Sequence, residues 1–227
     1  MPAAPEMTSV TSLQRAPRSV STAPAWSRSA QRSAAALRNM ARGEALVVRH
    51  QGVRWTWREY RERIDRLATG LLALGIEPGD RVGIWAPNCA EWCLTQFATA
   101  RIGAILVNIN PAYRVFELEY ALNKSGCRAI IAAERFKSSE YLRMLQDLAP
   151  ELAHCEPGRL QAAKLPALEI VIRMGREHTA GMFNFDDVGG HGGPAERERL
   201  EAIGAGLSTV IFLFALSRTA GKDAGDD

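Results

Sequence analysis

The sequence predicts an α/β domain built on a doubly wound parallel sheet with an N-terminal β-hairpin. Three observations predict it. Between Arg81 and Ile172, short apolar runs alternate with amphipathic stretches of about ten to fifteen residues, the pattern of βαβ units. The apolar runs lack in-out alternation, as strands buried on both faces do. Glycines punctuate the amphipathic stretches, with Gly75, Gly103 and Gly126 at or near their ends.

Order is expected from about Glu44. Ala45 to His50 and Val53 to Trp57 flank Gln51-Gly52, which reads as a hairpin with a two-residue turn, packed at one edge of the sheet. Thr56 and Glu59 form a capping box, and Tyr60, Ile64, Leu67, Leu71 and Leu74 recur at helical spacing until Gly75, with Pro78 just beyond. Strands follow at Arg81–Trp85, Ile105–Ile109, Arg128–Ala133 and Leu168–Ile172. Helices are expected at Cys89–Ile102, Val115–Lys124 and Ser138–Leu148. Past Arg173 the pattern weakens: Met182 to Val188 reads as a short edge element, Gly189 to Gly193 as a flexible loop, and Ala195 to Gly204 as a charged helix.

The 227 residues are 47% hydrophobic and 23% charged, which suits a globular core, and the net charge of +3 gives no reason to invoke nucleic acid or an anionic membrane. The basic excess is local. Six arginines stand before Gly43 against one acid, Glu6, in a Ser- and Ala-rich leader resembling a mitochondrial transit peptide. The leading expectation is a disordered leader and a cytoplasmic protein; the alternative is the mitochondrial matrix. Cys89, Cys93, Cys127 and Cys155 form no C-x-x-C pair, and the histidines lack metal-ligand spacing, so free thiols and no structural zinc are expected.

A doubly wound sheet invites a dinucleotide reading. Neither Ala86-Pro-Asn-Cys-Ala90 nor Asn110-Pro-Ala-Tyr113 supplies the glycines that let a pyrophosphate approach the backbone, so a dehydrogenase is rejected. Gly189 to Gly193 is not followed by Lys-Ser/Thr and reads as a linker. His191 among those glycines is expected to face solvent, and Asp186-Asp187 to end a strand rather than hold a metal. Trp55, Trp57, Trp85 and Trp92 read as core or hairpin residues, and Asn88 as a helix cap.

The run Leu46 to Trp57, then Leu67-Ala-Thr-Gly-Leu-Leu-Ala-Leu-Gly-Ile-Glu-Pro-Gly-Asp-Arg-Val-Gly-Ile-Trp85, resembles the opening of the AMP-forming acyl-CoA synthetases. The resemblance continues through Pro87-Asn88, Glu91-Trp92, Ala100 to Ala104, Val107-Asn-Ile-Asn-Pro-Ala-Tyr-Arg114 and Glu117 to Leu122. It is nearest to medium-chain fatty acid ligases and covers roughly Glu44 to Thr209. It implies the family's reaction: fatty acid and ATP give an acyl-adenylate and pyrophosphate, and coenzyme A then displaces AMP. In the family, ATP and magnesium are handled by a loop Tyr-Thr-Ser-Gly-Thr-Thr-Gly-x-Pro-Lys-Gly. The tail matches that loop's spacing only at Ser217, Thr219, Gly221, Lys222 and Gly225; Arg218 stands for a glycine and Asp223-Ala224 for Pro-Lys. Chance similarity and a decayed relic are both open.

The resemblance thus divides the chain into a disordered leader (1–43), a partial synthetase N-terminal domain (44–209) and a divergent tail (210–227). It implies no tight cofactor binding, no catalytic residue and no metal ligand in these residues, and an incomplete ligase that is inactive alone. The competing reading is a non-catalytic partner of a full-length homologue. At the leader junction, where the family has Trp-Pro-Glu, Asn39-Met-Ala-Arg42 reads Thr-Trp-Pro-Glu under one encoding shifted by a base. Sequencing the DNA in all frames at both junctions tests this: family-like codons out of frame are expected, and their absence from every frame would refute a frameshift.

Overall fold

The computed structural model describes residues 43–206. The expected disorder of the leader and of Gly221 to Asp227 lies outside them. β1 (Glu44–Val48) and β2 (Val53–Thr56) pair antiparallel. Their connection is a four-residue loop, a 3-10 turn over Arg49–Gln51 closed by Gly52 at φ 65°, and not a two-residue turn. A type I′ turn would need two residues at positive φ, and Gly52 is the only glycine there. The hairpin is a separate two-stranded sheet resting on the first helix, rather than an addition to the edge of the main sheet.

That helix, α1 (Trp57–Ala73), starts on the expected capping box: Thr56 accepts from the Glu59 amide and the Glu59 carboxylate accepts from the Thr56 amide at 2.8 Å. Its C-terminus is a Schellman cap. Gly75, at φ +86°, donates to Leu72, and Ile76 donates to Leu71 at 3.0 Å. Ile76 and Leu71 are both fully buried, so the cap also seals the core.

The main sheet comprises β3 (Arg81–Trp85), β4 (Ile105–Asn108), β5 (Ala129–Ala132), β8 (Ile170–Arg173) and β9 (Phe183–Asn184), all parallel, in the order β4-β3-β5-β8-β9. Between them run α2 (Ala90–Arg101), α3 (Val115–Ser125) and α4 (Tyr141–Leu148). One core half joins α1, α2 and the C-terminal elements; the other joins α3, α4 and the 150–168 segment. β3, β5 and β8 have interior positions that are buried without alternation, as expected of strands covered on both faces.

Three further sequence expectations need correction. Ser138 does not begin a helix: β6 (Arg135–Phe136) and β7 (Ser139–Glu140) make a small hairpin, and α4 starts at Tyr141. The edge element after Met182 is half strand, β9, and half helix, α5 (Phe185–Val188), which Asp186 and Asp187 occupy. Gly189 to Gly193 is not a loose linker. A Cβ on Gly189 would lie 2.5 Å from Arg66 Cγ, and one on Gly192 2.6 Å from Thr69 Oγ1, so these glycines let the chain lie directly on α1 before α6 (Pro194–Gly206).

The tightest of these contacts is reciprocal. A Cβ on Gly70 of α1 would sit 2.1 Å from the Val188 carbonyl oxygen. Gly→Ala inside a helix ordinarily stabilises by about 1 kcal/mol. Gly70→Ala should instead destabilise by about 2 kcal/mol or more in urea denaturation, because backbone has to move; a stabilised variant would contradict the contact.

Candidate functional site

The strand order places the topological switch between β3 and β5, so the carboxyl edge there is where a doubly wound fold offers a ligand crevice. Here that edge is filled. Trp85, the last residue of β3, is fully buried and stacks on Tyr141 with ring centroids 3.8 Å apart and planes 17° apart. The Trp85 indole N–H donates to the Asn110 carbonyl at 3.1 Å, and the Tyr141 hydroxyl donates to the Pro111 carbonyl at 2.6 Å. Asn110 Oδ1 accepts from the Ala112 amide at 2.9 Å. The aromatic pair therefore fixes the Asn110-Pro111 turn.

Register carries this edge across the sheet. Trp85 lies beside Ala132, Ala132 beside Arg173, and Arg173 beside Asn184, so the four side chains share one face. Arg173 is 2% exposed. Its guanidinium donates to Thr179 Oγ1 at 2.9 Å and to Glu134 Oε2 at 3.3 Å, and Nε donates to the Met174 carbonyl. The carboxamide oxygens of Asn108 and Asn184, at the ends of β4 and β9, are buried without a donor among the described residues.

Burial pushes Tyr141 up to about 12 and the Cys89 thiol up to about 12, and it raises Cys93 and Cys127 as well. All four cysteines are free, as expected. Cys89 is the N-cap of α2 but makes no side-chain cap bond; the Ala90 amide donates instead to Gln51 Oε1 of the hairpin loop at 2.7 Å. Gln51 Nε2 also donates to Glu91 at 2.8 Å, so one side chain ties the hairpin to α2.

His191 is exposed, with its ring edge-on to Phe183 at 5.5 Å, and Asp186 and Asp187 are exposed in α5. The phosphate-loop candidates Ser217, Thr219, Gly221 and Lys222 lie outside the described residues. Sequence reasoning missed Arg173, Gln51 and the Trp85–Tyr141 clamp. Only Arg173 left a signal, a charge ending the apolar run Ile170-Val-Ile. Among the described residues no three His, Cys, Asp or Glu side chains converge as a cation site. At the switch point the described residues present the Trp85–Tyr141 stack and no group of carboxylates placed to hold magnesium. Also among the described residues, no helix is long and apolar enough to cross a membrane.

The geometry is that of a doubly wound α/β domain: a parallel sheet between two helix layers, with a separate hairpin resting on α1. A family model described as AMP-binding enzyme matches residues 32–186, and the chain belongs to that family. It is 44% identical over 145 residues to the medium-chain acyl-CoA ligase ACSF2, mitochondrial, of Bos taurus, covering 64% of this chain and 23% of the relative. To the Homo sapiens protein of the same name it is 46% identical over 129 residues, covering 57% of this chain and 21% of the relative. The chain thus spans under a quarter of the length of these curated relatives. The crystal structure of the anthranilate CoA ligase AuaEII in complex with anthranoyl-AMP is similar with a TM-score of 0.57 at 24% identity, over 68% of this chain and 26% of that one, which shows the fold alone.

The Tyr141 clamp generates a pH prediction. Unfolded tyrosine titrates near 10 and the folded residue near 12, so the folded state holds this proton more tightly. Its contribution is complete below pH 10 and is lost as pH rises toward 12. Tyr141→Phe should cost about 1 kcal/mol at pH 8 through the lost hydrogen bond. It should also shrink the stability difference between pH 8 and pH 11; urea denaturation at both values checks this, and an unchanged difference would refute it.

Proposed function

We propose that these residues form the N-terminal scaffold of an AMP-forming fatty acyl-CoA ligase and that the 227-residue chain does not turn over by itself. The observation carrying this reading is the 44% identity to a medium-chain acyl-CoA ligase within a family match over 32–186. In that reaction a fatty acid carboxylate attacks the α-phosphorus of ATP and expels pyrophosphate. The thiol of coenzyme A then attacks the acyl carbonyl and releases AMP. The contribution of residues 44–209 is the sheet and helices against which the nucleotide- and acyl-binding elements of such an enzyme are built, with part of the acyl-pocket wall. The 210–227 tail is a divergent segment.

Adenylation requires preorganised charge around a triphosphate. Ser217, Thr219, Gly221 and Lys222 form a degenerate version of the phosphate loop, with Arg218 where a glycine is needed and Ala224 in place of the lysine. A missing contact of this kind commonly costs about 3 kcal/mol, or a hundredfold in rate. The purified chain should therefore show no fatty-acid-dependent exchange of pyrophosphate into ATP. Exchange above background that Lys222→Ala abolishes would overturn the proposal.

A second reading, a non-catalytic partner of a full-length homologue, has one observation in its favour: Phe116 and Tyr120, one turn apart on α3, are 79% and 64% exposed. Co-purification with a longer synthetase supports it. The mitochondrial relatives and the Arg-rich, acid-poor leader favour the matrix over the cytoplasm. A mature chain beginning near Gly43 is the corresponding result.

A further inference from the structure

β4 ends the main sheet, and among the described residues no strand pairs with its outer edge. The Ile105 amide donates to the Asp80 carbonyl at 2.8 Å and the Ile109 amide to the Ile84 carbonyl at 3.0 Å. The backbone N–H and C=O groups of Leu106 and Asn108, one residue out of step, therefore point the other way, toward that open edge. Leu106 is 5% exposed, and backbone polar groups without partners beside buried side chains are costly. Edges left open in a finished sheet carry charges, proline or a bulge. β4 reads Ile-Leu-Val-Asn and pairs with β3 in unbroken register, so it has none of these.

The chain itself supplies an occupant. A Cβ on Gly204, near the end of α6, would collide with the Arg101 guanidinium, and Arg101 closes α2 just before β4 begins. α6 thus ends near the amino end of β4. Just beyond the described residues the sequence runs Val210-Ile-Phe-Leu-Phe-Ala-Leu216, a continuous apolar run rich in β-formers and bounded by Ser208-Thr209 and Ser217. Residues 207–209 can bridge up to about 10 Å, and the run is long enough to cover the whole of β4.

Topology agrees with this placement. α6 packs on α1 and α2 and shares their side of the sheet. A return from β9 through α6 to the outer edge of β4 crosses the sheet in the same direction, and over the same side, as the step from β3 through α2 to β4. It therefore has the same hand, the one that parallel crossovers take.

We propose that residues 210–216 add to the open edge of β4 as a sixth, parallel strand of the main sheet. The inference stands on the sheet edge and holds whether or not the chain turns over. Residue-resolved amide hydrogen exchange on the full chain tests it. The Leu106 and Asn108 amides should exchange at least about tenfold more slowly than in an unstructured peptide, and alternate amides within 210–216 should be protected with them. The double variant Phe212→Pro/Leu213→Pro removes a donor from whichever alternation faces β4. It should speed exchange at Leu106 and Asn108 by at least about tenfold, while Val82 and Ile130 in the central strands stay protected and report a folded domain. Thr219→Pro, past the run, should change none of these amides. Unprotected Leu106 and Asn108 in the unaltered chain, or no alternation within 210–216, overturns the inference whatever the variants do. So does protection that survives in the folded proline variant. Protection that disappears on dilution places a second copy on this edge and overturns it as well.

Discussion

The Val188 carbonyl oxygen sits where a side chain on Gly70 would begin, and this close approach of α5 to α1 governs one whole face of the molecule. Because the backbones touch, the 189–193 glycines can lie along Arg66 and Thr69 and deliver α6 across α1 and α2. Arg101 of α2 then reaches both Asp65 of α1 at 3.0 Å and Glu201 of α6 at 2.8 Å. Partly exposed ion pairs add little energy individually, so the helix layer rests on the backbone fit and on the apolar surface it encloses. Phe185 and Val188 are buried on this face of the sheet.

The opposite face obeys a different constraint. Parallel strands expose a row of loops at one edge, and a ligand-binding version of the fold leaves space there. In this chain Trp85 and Tyr141 occupy that position and tie down the Asn110-Pro111 turn, while Arg173 is buried among protein acceptors. The edge is built for rigidity. Membership of the AMP-binding enzyme family and a filled switch point are compatible if the nucleotide chemistry belongs to elements other than those of residues 43–206.

Much of this was legible from residue spacing. The capping box at Thr56 and Glu59, the stop at Gly75 and the buried strands at Val82 and Ile130 follow from local chemistry, and the structure has them where the sequence put them. The errors arose where local pattern is silent about distant partners. Gly189 to Gly193 reads as flexible because glycines permit turns and close packing equally, and only the position of α1 decides between them. Ser138 to Leu148 has helical periodicity, yet β6 and β7 pair across Lys137, which takes φ 52°, an unfavoured conformation for a non-glycine residue. Gln51 had no motif at all; its role exists only because the hairpin rests near the α2 N-terminus. The phosphate-loop candidates Ser217, Thr219, Gly221 and Lys222 lie outside the described residues.

The central proposal is that residues 44–209 serve as the N-terminal scaffold of an AMP-forming acyl-CoA ligase. A chimera tests it most directly: residues 1–209 of this chain joined to the part of the Bos taurus relative that follows its matching stretch, assayed for fatty-acid-dependent formation of acyl-CoA from ATP and coenzyme A. The account predicts acyl-CoA formation by the chimera. A chimera that folds cooperatively but forms no acyl-CoA would contradict it.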